Sequence, residues 1–158
     1  MHIGLEEYRA IKRISKRDAD YDSFRREALV LKELHHPGIP MIYDLEEDSE
    51  FFYLIEEYLE GYSLYALIAN QGPIQEAEAV RYGMQVCGLV AYMHSACELP
   101  ILHLDLQPNN LIICNGTVKL IDFDHAAGCR WANIAPKRFG TVGCAAPEQY
   151  ASGRMAGH

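Results

Sequence analysis

The segment that most constrains this chain is ILHLDLQPNNLII, followed across Asn115-Gly116 by VKLIDFDHA. Apolar runs over 110–114 and 117–121 flank the Asn-Gly pair, a strong short-range signal for a tight hairpin. A hairpin returns its ends to one place, so Asp122 is predicted to approach Asn110, which lies five residues after Asp105. Two carboxylates and an amide oxygen converging there suit magnesium and leave room for phosphate ligands. A single Asp in a loop is ordinary turn chemistry. Three such residues in this order, with Lys12 supplying a cation opposite them, point to a site.

The rest of the chain reads as a scaffold for that loop. Residues 5–14 suit a strand, with Lys12 near its end. From Arg17 to Leu34, apolar residues at Phe24, Ala28, Leu31 and Leu34 recur at helical spacing, and acids at 18, 20 and 22 favour the helix start. His36-Pro37-Gly38 stops that helix. Runs over 41–45 and 51–58, separated by the acidic EEDSE, predict a hairpin. A short helix is expected over 63–70, ended by Gln71-Gly72-Pro73. The longest helix is expected over 74–96, with its apolar stripe on Val80, Met84, Cys87, Ala91 and His94, widened by Val90 and Met93. From His125 onward the chain reads as loop. A β-rich piece ahead of a helical one predicts an α+β protein with a hinge near 59–61.

Composition narrows the function. With 158 residues, 49% hydrophobic and 23% charged, the chain has the balance of a globular domain. Its formal net charge of -8 opposes binding to a nucleic-acid backbone, although a local cation and metal ions can reverse the field inside a cleft. Five dispersed cysteines without a CxxC pair suggest reduced thiols. Neither a signal-like apolar run nor a membrane-length one occurs, so a soluble, cytoplasmic protein with no membrane partner is expected.

In this order the motifs resemble those of eukaryotic-type serine/threonine protein kinases of the kind bacteria also carry. RAIK resembles the third-strand motif, which implies that Lys12 contacts phosphates. FRREALVLKELHHPGIP resembles the αC helix and its exit, implying Glu27 as the partner of Lys12. YLIEEYLEGYSL resembles the hinge, with Glu57 and Leu59 offering backbone to adenine. HLDLQPNN resembles HRDLKPxN, implying Asp105 as base, Gln107 beside it and Asn110 as metal ligand. IDFD resembles DFG, making Asp122 the main metal ligand, and GTVGCAAPEQ resembles the end of the activation segment, with Thr141 near the base and Glu148 in the APE motif. Ala10 and Ile112 complete the nucleotide contacts that the resemblance implies. Leu31, Ile42, His103 and Phe123 would stack into a column linking the lobes. The implied fold is bilobal, with a partial small lobe over 1–60 and a partial large lobe over 61–158. The implied cosubstrates are ATP and Mg2+, and the implied acceptor is a protein of unspecified identity.

Departures from the pattern carry expectations of their own. No glycine-rich loop occurs in the eleven residues before Lys12, and the chain stops ten residues after Glu148. The small lobe is therefore expected to be incomplete and the large lobe cut after the APE motif, leaving apolar surface that favours homodimers. Gln107 stands where these kinases carry lysine, Leu104 where they carry the arginine of HRD, and Asp124 where they carry the DFG glycine. Glu56 takes the gatekeeper position, where a carboxylate needs a partner or a raised pKa. The expected activity of this chain is weak or absent. Two alternatives stay open: a pseudokinase or nucleotide-binding interaction module, and a small-molecule phosphotransferase of the aminoglycoside or choline type, which IDFDHA also resembles.

Overall fold

The computed structural model describes residues 8–18, 21–96, 100–123, 125–128 and 141–150, with backbone alone at 23, 26, 27, 127, 128, 148 and 150. Asp20, Asp124 and residues 5–7 of the predicted first strand lie outside the described residues, as do the side chains of Glu27 and Glu148.

Strands β1 (Arg9–Ser15), β2 (Ile42–Glu47) and β3 (Phe51–Glu57) form an antiparallel sheet in the order β1-β3-β2. Alternation along β3 buries Phe52, Leu54 and Glu56 on one face, as period-two geometry requires. The β2–β3 turn is tied by Asp48, whose Oδ1 accepts from the amides of Glu50 at 2.7 Å and Phe51 at 2.6 Å. Helix α1 (Tyr21–Glu33) covers the buried face, and Phe24 meets Phe52 edge-on with ring centroids 5.7 Å apart. Ala28, Leu31 and Leu34 are buried, as their spacing predicts. The helix begins four residues later than expected, because Arg17 and Asp18 belong to a turn closed by the Asp18 amide donating to the Ser15 carbonyl at 2.9 Å.

The second part is built on helices. Strand β4 (Tyr62–Ser63) leads into α2 (Leu64–Gln71), where Ser63 Oγ caps the helix by accepting from the Ala66 amide at 3.1 Å. Helix α3 (Glu76–Ser95) follows, then β5 (Ile101–Leu102). A short 3-10 turn over Pro108–Asn110 feeds β6 (Leu111–Cys114), which pairs antiparallel with β7 (Thr117–Leu120). Two elements fall in the stretch read as loop: β8 (Ala127–Gly128), paired with β5, and α4 (Pro147–Tyr150). They are too short to show a hydrophobic period, so only their tertiary partners define them. No helix among the described residues is long and apolar enough to cross a membrane.

The buried stripe of α3 meets the predicted one only at Met93 and the half-buried Val90. Tyr82, Leu89 and Met93 are buried, and Gln85 on the same face holds the hairpin, its Nε2 donating to the Gly116 carbonyl at 3.0 Å and its Oε1 accepting from the Val118 amide at 2.9 Å. Val80, Met84, Cys87, Ala91 and His94 are exposed, Met84 to 71%. Both faces of α3 carry apolar residues at helical spacing, so periodicity could not choose between them. The hairpin did, because Gln85 matches its free backbone groups.

Contacts from the sheet and from the segment between α1 and β2 tie the first part to the helical one. Lys119 Nζ on β7 binds both carboxylate oxygens of Glu57 on β3 at 2.7 Å. The Leu120 amide donates to the Gly38 carbonyl at 2.8 Å, and the His35 amide donates to Tyr92 Oη on α3 at 2.7 Å. Gly61, at the entry to β4, allows a closer approach still: an added Cβ would meet the Ile113 carbonyl oxygen and lie 2.9 Å from Cys114 Sγ.

Two glycines give opposite expectations. Gly61→Ala forces β4 away from β6 and lowers stability by about 1–3 kcal/mol, the usual cost of overpacking. Gly83→Ala, in α3 with nothing within 4 Å of the added Cβ, raises stability by about 0.4–1 kcal/mol. Urea midpoints of the two variants and the parent check both signs.

Candidate active site

The hairpin joining β6 to β7 turns through Asn115 at φ 48° and Gly116 at φ 79°, the left-handed pair that a type I′ turn requires. Its register continues one step past the strands, where the Ile121 amide donates to the Asn110 carbonyl at 2.9 Å. Asp122 therefore leaves the hairpin beside Asn110, as expected from the sequence. Its own φ of 66° is left-handed, a conformation Asp tolerates better than most residues.

Asp105 is the most heavily held side chain of the loop. Thr141 Oγ1 donates to its Oδ1 at 2.7 Å, while Gln107 Nε2 and Asn110 Nδ2 donate to its Oδ2 at 2.7 Å and 3.0 Å. Burial pushes the Asp105 carboxyl up, the largest single effect, but the hydrogen bonds from Thr141, Gln107 and Asn110 outweigh it and hold the group below its ordinary value of 3.8. Asp105 thus stays ionised and oriented, as a group aligning a hydroxyl must be. Gln107 reaches the carboxylate from the position where the resemblance expects lysine, supplying a donor without a charge.

His103 anchors the loop from beneath. Its Nε2 lies 3.1 Å from the Ile121 carbonyl oxygen, and its Nδ1 faces the Asp105 amide at 3.4 Å. These two partners together select the neutral tautomer with the proton on Nε2. The ring meets Phe123 edge-on at 4.9 Å. Phe123 and Leu31 belong to one buried cluster with Ile42 packed against it, so the four residues expected to form a column lie in or beside the same core.

Asn110 is buried, with 6% exposure. Both its side-chain bonds use Nδ2, to the Asp105 carbonyl at 2.9 Å and to Asp105 Oδ2. Its Oδ1 is thereby left as an acceptor without a partner among the described residues, and Asp122 follows the backbone bond from Ile121 to Asn110. Burying such an atom is costly unless something binds it. An amide oxygen beside a carboxylate is a hard-oxygen pair that fits Mg2+. Among the described residues no three His, Cys, Asp or Glu side chains gather to hold a metal, so these two residues would hold a cation together with a ligand's own phosphates.

Lys12 lies on β1 facing inward, opposite Leu54 in the register, with its Nζ 3.8 Å from Glu56 Oε1. Ala10, paired with Glu56, shares that face, and Ile112, paired with Lys119 on β6, is half-buried. Leu59 is half-buried just past β3, and the Glu57 side chain is committed to Lys119. Two contacts were not legible in the sequence. Gln149 Nε2 donates to the Leu104 carbonyl at 2.7 Å while its Oε1 accepts from the Ala146 amide at 3.0 Å, clamping α4 to the catalytic loop. Leu104 takes φ 65° there, a strained state for a bulky residue. The pairing of Glu56 with Lys12 is the other, since no motif spacing relates residues 44 positions apart.

Burial depresses the pKa of His103 below its ordinary 6.5, against the opposing pull of the Ile121 carbonyl, Asp105 and Asp122. A folded value below the unfolded one means that the proton favours the unfolded chain. The contribution of His103 to stability is therefore complete above about pH 6.5 and is lost as pH falls through the folded value. Melting temperatures measured from about pH 7.5 down to about pH 5 should fall more steeply for the parent than for His103→Gln.

Comparison with known proteins agrees with this arrangement. The family described as protein kinase domain matches residues 1–157. The serine/threonine-protein kinase PrkC of Bacillus subtilis is 35% identical over 133 residues, covering 82% of this chain and 20% of that protein. Putative sperm motility kinase W of Mus musculus is 32% identical over 148 residues, 93% of this chain and 29% of its own. The serine/threonine-protein kinase GIN4 of Saccharomyces cerevisiae is 36% identical over 124 residues, 78% of this chain and 11% of its own. The chain thus spans less than a third of the length of each of these curated relatives. With the loop, the hairpin and the 141–150 segment meeting around Asp105, a match over nearly the whole sequence settles the family: this α+β chain belongs to the protein kinase domain family.

Proposed function

We propose that this chain forms the nucleotide-binding and phosphoryl-transfer region of a serine/threonine protein kinase, moving the γ-phosphoryl group of ATP to a protein hydroxyl. The observation that carries the reading is the Asp105 carboxylate fixed by three donors beside Asn110, whose Oδ1 has no partner among the described residues. Residues 1–60 act as the small lobe and 61–158 as the large lobe, with adenine against the backbone of Glu57 and Leu59 and between Ala10 and Ile112. Lys12, steadied by Glu27, orients the phosphates.

Phosphoryl transfer asks little covalent chemistry of a protein and much positioning. Asp105 aligns the acceptor hydroxyl and takes its proton late, which suits a carboxyl held below its ordinary value. Thr141 and Gln107 keep the carboxylate from rotating away, so the entropy of alignment is met before the acceptor arrives. Asn110 and Asp122 would hold Mg2+, which when bound neutralises charge on the phosphate oxygens. Soluble, cytoplasmic residence suits such a reaction.

The pseudokinase alternative has one observation in its favour. Gln107 is neutral where lysine would offset charge on the transferring group, so stabilisation there rests on a hydrogen bond alone.

Turnover by the purified chain is expected far below the roughly 1–100 per second of protein kinases in general. Binding of ATP measured by calorimetry should require Mg2+ and should weaken in Asp122→Asn. Asp105→Asn should leave binding intact and cut γ-phosphoryl transfer roughly 100-fold or more. Mg-dependent ATP binding with no transfer under any condition would favour the pseudokinase, and absence of ATP binding would remove both readings.

A further inference from the structure

Glu56 is a buried carboxylate on the inner face of β3, 8% exposed. Across the three strands it pairs with Ala10 on one side and Ile42 on the other, two apolar neighbours that offer its charge nothing. Lys12, one alternation further along β1, places its Nζ 3.8 Å from Glu56 Oε1, with the two side chains 37% and 11% exposed. The asymmetry matters. The carboxylate lies on the buried face of the sheet, whereas the ammonium ends a longer stem that is more exposed. A buried carboxylate needs a compensating cation. At 3.8 Å the contact is a charge pair longer than an ordinary hydrogen bond, so it draws on the charge of Lys12 without fixing its direction.

We propose that Glu56 is a positioning residue that competes with nucleotide phosphates for Lys12 and so sets how strongly the cleft prefers a triphosphate over the bare nucleoside. The inference rests on the kinase reading of the cleft and gives Glu56 a role of its own within it. With no phosphate present, Lys12 compensates Glu56. When a triphosphate enters, the same ammonium must serve a further anion, and the carboxylate and the phosphates each weaken its hold on the other. Adenosine, lacking phosphates, makes no claim on Lys12, so Glu56 has no leverage over it. The residue therefore discounts affinity for the phosphate part of the ligand alone.

The test compares the full chain with Glu56→Gln and Lys12→Met, singly and together, using Glu56→Met as a second neutral form should the buried amide prevent folding. Two readouts are taken. The first is the rate at which Lys12 is acylated by an amine-reactive ester at mildly alkaline pH, followed by mass spectrometry without nucleotide. Removing the carboxylate lowers the ammonium pKa, so the rate should rise roughly 3- to 10-fold. The second is the ratio of Mg-ATP to adenosine affinity, which should rise by a similar roughly 3- to 10-fold factor in the Glu56 variants and not at all once Lys12 is Met. An unchanged acylation rate overturns the proposal whatever the nucleotide data say. So does a Glu56 variant that shifts ATP and adenosine affinity by the same factor, the signature of a merely structural residue. If acylation accelerates but no variant binds Mg-ATP, the kinase reading fails and the competition with phosphates falls with it, while the Lys12–Glu56 pairing is confirmed separately.

Discussion

The antiparallel closure of β6 on β7 is the constraint on which the site depends. Two left-handed residues at 115 and 116 set the register, and the register carries through to the bond between Ile121 and Asn110. From that bond three placements follow. Asp122 emerges beside Asn110, the Ile121 carbonyl faces His103, and Phe123 meets the His103 ring. A slip of one residue would turn every side chain of β7 to the opposite face and would separate all three. The glutamine at 85 guards against that slip, since its amide reads both the turn carbonyl of Gly116 and the Val118 amide on β7.

A second theme is the handling of charge in an acidic chain. Two of its lysines meet partly or largely buried carboxylates: Lys119 on Glu57 and Lys12 on Glu56. The first pair joins the sheet to the hairpin and is short and bidentate, a geometry that holds two elements in place. The second is longer, at 3.8 Å to one carboxylate oxygen. The same two residue types thus meet in two different geometries, and the difference lies in distance and in how far each stem is enclosed.

Asp105 shows how neutral donors can stand in for a charge. Gln107 and Asn110 from the loop itself and Thr141 from the distant 141–150 segment all end on one carboxylate. Gln149 adds a further link by fixing the backbone of Leu104, the residue just before it. The loop is therefore held from its own 3-10 turn, from the strand beneath it and from the segment at 141–150. Its strained conformations at 104 and 122 persist because those surroundings over-determine them.

Local signals were legible wherever the determining partners lie close in sequence. The Asn115-Gly116 turn, the β2–β3 hairpin and the return of Asp122 to Asn110 across that turn depend on signals local in sequence, and the sequence alone predicts each of them. Legibility stopped where two solutions satisfy the same local pattern. Helix α3 carries apolar residues on both faces, and the choice of Tyr82, Leu89 and Met93 over Val80 and Met84 came from the hairpin docked on it. Short elements such as β8 and α4 have no period to read, and the start of α1 yielded to a turn bonded back to Ser15. What the amino-acid order determined by itself is the set of chemical groups and the turns that present them. What only the tertiary structure decided is which distant groups share one another's charge and hydrogen bonds, such as Lys12 with Glu56 and Gln149 with Leu104, because those energies depend on distance through space and the sequence records only distance along the chain.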